Sequence, residues 1–307
     1  MNNKKISITT HGKVILIGEH SVVYGKDALA LPIKGLNIIT TIEKSPTAES
    51  IMITNHYQGP YLQSPSEYDG LKYVFNTLNS LAKNSEPLQV TYTGEIPMER
   101  GLGSSAVVAL GTTKALNNYF NLMLPEEKIM EITNHAEMIN HGKASGLDAA
   151  TVNSDYVVFF NKKIGPHPIS KKLGATLLIM DTGELGNTKR AVKLVRDKIE
   201  SNPNEAKKIE RLGVLATKTK DLWGKQDVSA IGQIFNEAEE ILASFGIATK
   251  RIEEISKIAQ VNGALGTKLS GGGLGGIVIA LCNDKYTAEK IAQKAKDNFS
   301  NYWIEEI

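Results

Sequence analysis

At 307 residues, 41% hydrophobic and 22% charged, the chain has the composition of an ordinary globular protein, and two domains are expected at roughly 150 residues each. Its 35 basic and 33 acidic residues leave a net charge of +2 and are spread along the sequence, which argues against nucleic acid or an anionic membrane as the main partner. The one cysteine, Cys282, lies in the apolar run GIVIALC; it has no partner for an internal disulfide and reads as buried packing.

The N-terminal segment carries Lys4 and Lys5 but no long apolar stretch before Lys13. It does not read as a signal peptide. No window holds the roughly 18 consecutive apolar residues that a transmembrane helix needs, and a cytoplasmic protein is expected. ISITT and KVILIGE read as two β-strands, rich in β-branched residues and stopped by a glycine. LALPIKGLNIITTIEK and ESIMITN continue the β character. In YDGLKYVFNTLNSLAK, Leu71, Val74, Phe75, Leu78 and Leu81 recur at the spacing of one helix face. LQVTYTG is a further strand.

Pro97–Leu116, PMERGLGSSAVVALGTTKAL, packs two glycines and two serines into five residues before an apolar run at helical spacing. One reading is a phosphate cradle. The other is a tight turn before a helix, with Ser104 or Ser105 as N-cap. Ala106, Ala109, Leu110, Thr113 and Leu116 form the expected buried face. PEEKIMEITNHAEMINHG reads as a second helix, started by Pro125 and stopped by Gly142. SGLDAATVNSDYVVFF passes from a short helix or loop into a strand. A domain boundary is expected near Lys171 to Gly174, giving domains 1–173 and 174–307, because KKIGPHPISKKLG interrupts two strands. Beyond it come the strand ATLLIMDTG, helices from NTKRAVKLVRDKIE to RIEEISKIAQ, and the strand, glycine loop and strand of GALGTKLSGGGLGGIVIAL. A helix, TAEKIAQKAKDNF, and a short strand, YWIEEI, close the chain. Mixed elements with hairpin-like β pairs suggest an α+β protein.

GLGSSA matches a loose dinucleotide fingerprint, GxGxxA. That motif should follow a strand directly, whereas residues 94–100 intervene here. A Walker A loop fails outright, because no lysine follows Gly103. A third option is a Gly-Ser loop whose backbone N–H groups hold phosphates at a helix N-terminus, where donors are unsatisfied and the dipole is positive. A serine hydroxyl can ligate Mg²⁺, and Glu137 on the next helix can add a carboxylate. His135 and His141 are six residues apart, the wrong spacing for two metal ligands on one helix face.

Three segments occur in order: GKVILIGEHSVVYG (Gly12–Gly25), PMERGLGSSAVV (Pro97–Val108) and KLSGGGLGGIVIAL (Lys268–Leu281), joined by HGKASGLD (His141–Asp148). Together they resemble the GHMP kinase superfamily over nearly the whole chain. The first motif and HGKASGLD are similar to those of its mevalonate-phosphorylating branch. Galactokinases continue differently after Gly-Glu-His, phosphomevalonate kinases tend to have Gly-Glu-Tyr, and homoserine kinases usually lack the acid at Asp148.

The resemblance implies a two-domain α+β fold with a ferredoxin-like C-terminal domain and the active site in the cleft between the domains. It implies ATP as co-substrate, Mg²⁺ as cofactor and mevalonate as acceptor. A homodimer is one arrangement left open. Asp148 takes the place of the catalytic base and Lys13 that of the lysine beside it. Glu19 and His20 match substrate contacts. Gly101, Leu102, Gly103, Ser104 and Ser105 match the phosphate loop, with Gly271, Gly272 and Gly273 of the third loop supporting it. Ser105 and Glu137 match the Mg²⁺ ligands. The family often has small residues where Glu99 and Arg100 stand; these two are placed with the ATP-binding residues, and the direction of each side chain is open. Other readings are a GHMP kinase for phosphomevalonate or a sugar, and a non-catalytic ATP-binding sensor. The joint presence of Lys13, Glu137 and Asp148 argues against the sensor, since a binder needs no base.

Overall fold

The computed structural model describes residues 4–307 except 95, 98–99 and 142–144. In chain order the elements are β1 (Lys5–Ile17), β2 (Ala28–Lys44), β3 (Ile51–Ile53), β4 (Gln58–Pro60), α1 (Asp69–Ala82), β5 (Leu88–Gly94), α2 (Ser104–Phe120), α3 (Glu126–His141) and α4 (Leu147–Val152). There follow β6 (Val157–Asn161), β7 (Gly165–Ile169), β8 (Thr176–Asp181), α5 (Thr188–Ser201), α6 (Pro203–Lys225), α7 (Val228–Ser244), α8 (Lys250–Val261), β9 (Gly266–Ser270), β10 (Ile277–Cys282), α9 (Lys285–Ala295) and β11 (Asn301–Glu306). No described helix is long and apolar enough to cross a membrane.

The described residues form two compact units, and the chain passes between them several times. One comprises Met1–Gly12, Leu36–Ile96 and Gly103–Asn153; the other comprises Lys13–Gly35, Pro97–Leu102 and Ser154–Ile307. ISITT and KVILIGE are one strand, β1, rather than two. Its first half alternates exposed and covered residues, and its second half is buried throughout. The apparent break at His11-Gly12 in the sequence is this change of burial, not a change of backbone.

In the first unit, β4, β3, β5 and β2 lie in that order. β2 pairs antiparallel with β5, from Ile38 opposite Gly94 to Lys44 opposite Leu88, and β3 pairs parallel with β5. Helix α2 packs against α1, α3 and α4. Its contact with the strands is direct: Thr10 Oγ1 donates to the Val107 carbonyl at 3.0 Å, and Tyr92 Oη and Thr112 Oγ1 are 2.7 Å apart. The single apolar face expected for α2 is therefore too narrow. Val107, Gly111, Thr112, Ala115 and Asn117 are buried as well, because strands and helices cover it from several sides.

In the second unit, β11, β8, β10 and β9 form an antiparallel sheet. Every residue of β8, β9 and β10 is buried, and α7, α8 and α9 pack against the sheet. Cys282 lies in this core, its thiol pushed up to about 12 chiefly by burial. KKIGPHPISKKLG contains a strand the sequence does not suggest, β7, paired with β6 from Val157 opposite Ile169 to Asn161 opposite Gly165. Pro166 and Pro168 cannot donate to a ladder, and a strand at the end of the sheet order tolerates them.

Helix α7 meets β9 backbone to backbone. A Cβ on Gly266 would lie 2.0 Å from the Gly232 carbonyl oxygen, and one on Gly232 would lie 2.7 Å from the Leu265 carbonyl carbon. This approach lets Glu239, two turns along α7, accept a hydrogen bond from Leu269 N at 2.7 Å. Gly266→Ala must push helix and strand apart, and overpacking of this kind typically costs about 1–3 kcal/mol. In urea unfolding the midpoint should fall with an unchanged slope; an unchanged midpoint would show that the contact is not tight.

Candidate active site

The three motifs place one group of residues in the second unit. β1 carries Lys13, which is buried and whose backbone N–H donates to the Leu102 carbonyl at 3.0 Å. Two residues on, Ile15 N donates to Ser270 Oγ at 3.0 Å, and Ser270 Oγ donates back to the Ile15 carbonyl at 2.9 Å. β1 then ends, and Glu19 and His20 make the turn, with His20 at φ 59°. The His20 Nε2–H donates to the Gly272 carbonyl at 2.9 Å, while its buried Nδ1 has no hydrogen-bond partner among the described residues. Burial lowers the basicity of the ring, the Gly272 carbonyl opposes this, and the charge of Lys268 lowers it further.

Glu19 is enclosed. Its Oε1 accepts from Lys268 Nζ, and neither side chain has any exposure. Burial raises the Glu19 carboxyl, and the charge and hydrogen bond of Lys268 pull it back down. Lys268 also donates to the Leu269 carbonyl at 2.6 Å and lies 5.9 Å from the Phe235 ring centre. Glu239 is raised by burial as well, opposed by the Leu269 N–H and by Lys268.

The third loop, Gly271–Gly276, is fastened through its backbone. Leu274 N donates to the Ile247 carbonyl at 2.7 Å and Gly276 N to the Glu184 carbonyl at 2.9 Å. Gly273 has φ 81°, and a Cβ there would lie 2.7 Å from the Ile247 carbonyl oxygen, so only glycine fits. Gly101 stands beside this loop: a Cβ on it would be 3.3 Å from the Ser270 carbonyl oxygen. Leu102 is buried. The Arg100 guanidinium faces the end of β8, with Nε 3.3 Å from Asp181 Oδ2 and Nη2 donating to the Gly183 carbonyl at 3.2 Å. Glu99 lies outside the described residues.

The second group lies in the first unit. Gly103, at φ 75°, is the N-cap of α2, and no side chain caps the helix. Neither Ser104 nor Ser105 is the cap, because a left-handed residue already turns the chain into the helix; both serines occupy the first turn. Such a turn presents N–H groups without intrahelical partners. Ser105 Oγ donates to Glu137 Oε1 on α3 at 2.5 Å and accepts from Asn140 Nδ2 at 2.9 Å. Asn140 is itself held by Gly70 N, which donates to its Oδ1 at 3.1 Å. Asp148 lies in the first turn of α4, after Gly146 at φ 87°, and α4 packs on α2 and α3. His135 lies against Tyr73, with ring centres 4.4 Å apart and the planes tilted by 33°.

One unit thus joins Lys13, Glu19, His20, Arg100, Gly101, Leu102 and the third loop, and the other joins Ser104, Ser105 and Glu137 on α2 and α3 with Asp148 on α4. Ser105 and Glu137 offer a hydroxyl and a carboxylate side by side, the hard oxygen donors that suit Mg²⁺ when phosphate oxygens and water complete its shell. Sequence reasoning missed Lys268, Ser270, Asn140 and Asp181. Lys268 had one visible signal: a lysine within a strand that is otherwise apolar or small.

The helix N-terminus behind Gly103 offers backbone N–H groups beside an oxygen pair, chemistry suited to phosphate. The GHMP kinases N terminal domain matches residues 71–154 and the GHMP kinases C terminal domain matches residues 219–301; the chain belongs to the GHMP kinase family and has its two-domain fold. Within that family it is similar to mevalonate kinases. The mevalonate kinase of Pyrococcus furiosus is 30% identical over 92% of this chain and 90% of its own length. The crystal structure of mevalonate kinase from methicillin-resistant Staphylococcus aureus is 29% identical, with a TM-score of 0.76 over 99% of both chains. The structure of L. major mevalonate kinase in complex with R-mevalonate shares the fold, with a TM-score of 0.83 at 22% identity over 98% of this chain and 95% of that one.

His20 generates a pH prediction. Its folded-state pKa is lowered, so the unfolded chain, with an ordinary histidine pKa of about 6.5, binds the proton more readily. The stability carried by the neutral ring is present above about pH 6.5 and is lost as pH falls toward the lower folded value. Urea unfolding at pH 7.5 and pH 5.5 should show a smaller acid loss in His20→Asn than in the parent chain. Equal losses would mean that the ring is not held neutral.

Proposed function

We propose that the protein transfers the γ-phosphoryl group of ATP to the primary hydroxyl of mevalonate, giving 5-phosphomevalonate and ADP. The observation that carries this reading is the oxygen pair made by Ser105, in the first turn behind Gly103, and Glu137 on α3, in a chain 30% identical to a mevalonate kinase. In-line phosphoryl transfer needs positioning, charge neutralisation and removal of the hydroxyl proton. Backbone N–H groups of Gly101, Gly103, Ser104 and Ser105 bind the phosphates, with Gly271, Gly272 and Gly273 supporting them. The Arg100 guanidinium acts through Asp181, holding the loop by its base. Mg²⁺ bound by Ser105 and Glu137 would supply charge neutralisation at the β- and γ-phosphate oxygens. Asp148 accepts the hydroxyl proton as the new P–O bond forms and ADP leaves. Lys13, a cation in the first motif, favours the developing alkoxide.

His20 forms the mevalonate side of the site, and Glu19, which the family resemblance also places there, stands enclosed behind it on Lys268. In neutral His20 the Nδ1 lone pair is an acceptor suited to a substrate hydroxyl. The division into domains 1–173 and 174–307 belongs to the same reading, since the family matches at 71–154 and 219–301 fall on either side of it. A cytoplasmic location goes with ATP as co-substrate.

Asp148→Asn keeps the shape and cannot accept the proton at neutral pH. Loss of a general base typically costs on the order of 10²- to 10⁴-fold in rate, and the loss should fall on kcat rather than KM. Steady-state kinetics with mevalonate should show this, with Mg-ATP binding by calorimetry nearly intact. A kcat near that of the parent enzyme would remove Asp148 from the mechanism, and loss of nucleotide binding would make it a structural cap.

Glu137→Gln should raise the Mg²⁺ concentration needed for half-maximal rate, because it removes a hard anionic ligand. An unchanged Mg²⁺ dependence would return Glu137 to a hydrogen-bonding role toward Ser105.

A further inference from the structure

Lys268 sits in β9 with no exposure, in a strand whose other residues, Gly266, Thr267, Leu269 and Ser270, carry no charge. Lysines are almost never fully buried unless paired. Here the ammonium meets the Glu19 carboxylate, the Leu269 carbonyl and the face of Phe235. Glu239 lies within its electrostatic reach.

Stability alone is a poor reason for such a pair. Desolvating two charges costs about as much as their attraction returns, and well-packed apolar substitutes are often neutral or better. The location supplies another reason. Glu19 immediately precedes His20, whose ring holds the Gly272 carbonyl. Lys268 stands two residues before Ser270, which is bonded in both directions to Ile15. The pair therefore ties together both ends of the junction between the first motif and the third glycine loop. It also leaves Glu19 Oε2 as a buried carboxylate oxygen with no hydrogen-bond partner among the described residues.

We propose that Lys268 is a positioning residue for phosphoryl transfer: through Glu19 it sets the left-handed His20 turn, and through His20 the Gly272 carbonyl of the third loop. The proposal rests on the kinase reading above. A misplacement of about 1 Å can cost on the order of 10²-fold in rate, so a pair that sets this turn should be visible in turnover rather than only in stability.

The test compares the parent enzyme, Lys268→Met, and the double variant Lys268→Met/Glu19→Leu, with turnover expressed per folded molecule below each melting transition. Lys268→Met leaves a buried carboxylate unpaired and should lower both the melting temperature and kcat. The double variant removes both charges; its melting temperature should return toward the parent value while kcat stays at least about tenfold down. Recovery of turnover together with stability would make the pair structural and overturn the proposal, as would parent-like turnover in Lys268→Met. Should the Met variants fail to fold, Lys268→Arg decides: it keeps the charge but moves the cation. A lowered kcat at near-parent melting temperature supports positioning, and an unchanged kcat overturns it. Absence of mevalonate-dependent ADP release in the parent enzyme would overturn the kinase reading itself, and the positioning role with it.

Discussion

The hydroxyl of Ser270 is bonded in both directions to the backbone of Ile15, and the arrangement of the second unit's motifs depends on it. β1 and β9 belong to different sheets, so no ladder can join them. A side chain short enough to act as a piece of backbone does so instead. Once Ile15 is fixed against the end of β9, Lys13 falls opposite the Leu102 carbonyl, and the turn after Ile17 brings His20 to Gly272. Each of these contacts uses backbone on at least one side, which is why the segments are crowded with glycine. The Gly101–Leu102 segment, the Glu19–His20 turn and the third loop are thereby held by a few hydrogen bonds and one buried charge pair.

The first unit solves a different problem, that of aiming two oxygen donors at one place. Helix α2 is buried on several sides, so its N-terminus is held by the whole unit and not by a local cap. Glu137 and Asn140 lie one turn apart on α3 and meet the same serine hydroxyl. Asn140 is anchored in turn by the Gly70 amide at the start of α1. Three helices therefore fix the orientation of Ser105.

Long periodic elements were legible in the sequence because their signals are local. Leu71, Val74, Phe75 and Leu78 point α1 inward as their spacing says, while Leu81, in the last turn of the helix, is exposed. The motif residues Lys13, Ser105, Glu137 and Asp148 were found through a family pattern, since none of them taken alone is distinctive. What escaped was set by distant partners. Strand β7 was hidden by Pro166 and Pro168, whose cost vanishes only at the end of the sheet order. Gly103, at a left-handed φ, holds the N-cap position in place of Ser104 or Ser105, and no side chain caps the helix. Lys268 could not be paired from sequence at all, since Glu19 lies 249 residues away.

The central claim is the identity of the phosphoryl acceptor, and acceptor specificity tests it most directly. ADP release by the purified protein with Mg-ATP should be measured against a panel of mevalonate, phosphomevalonate, homoserine and galactose. Rapid release is expected with mevalonate and background release with the other three. Release driven by phosphomevalonate or galactose, with mevalonate inert, would contradict it.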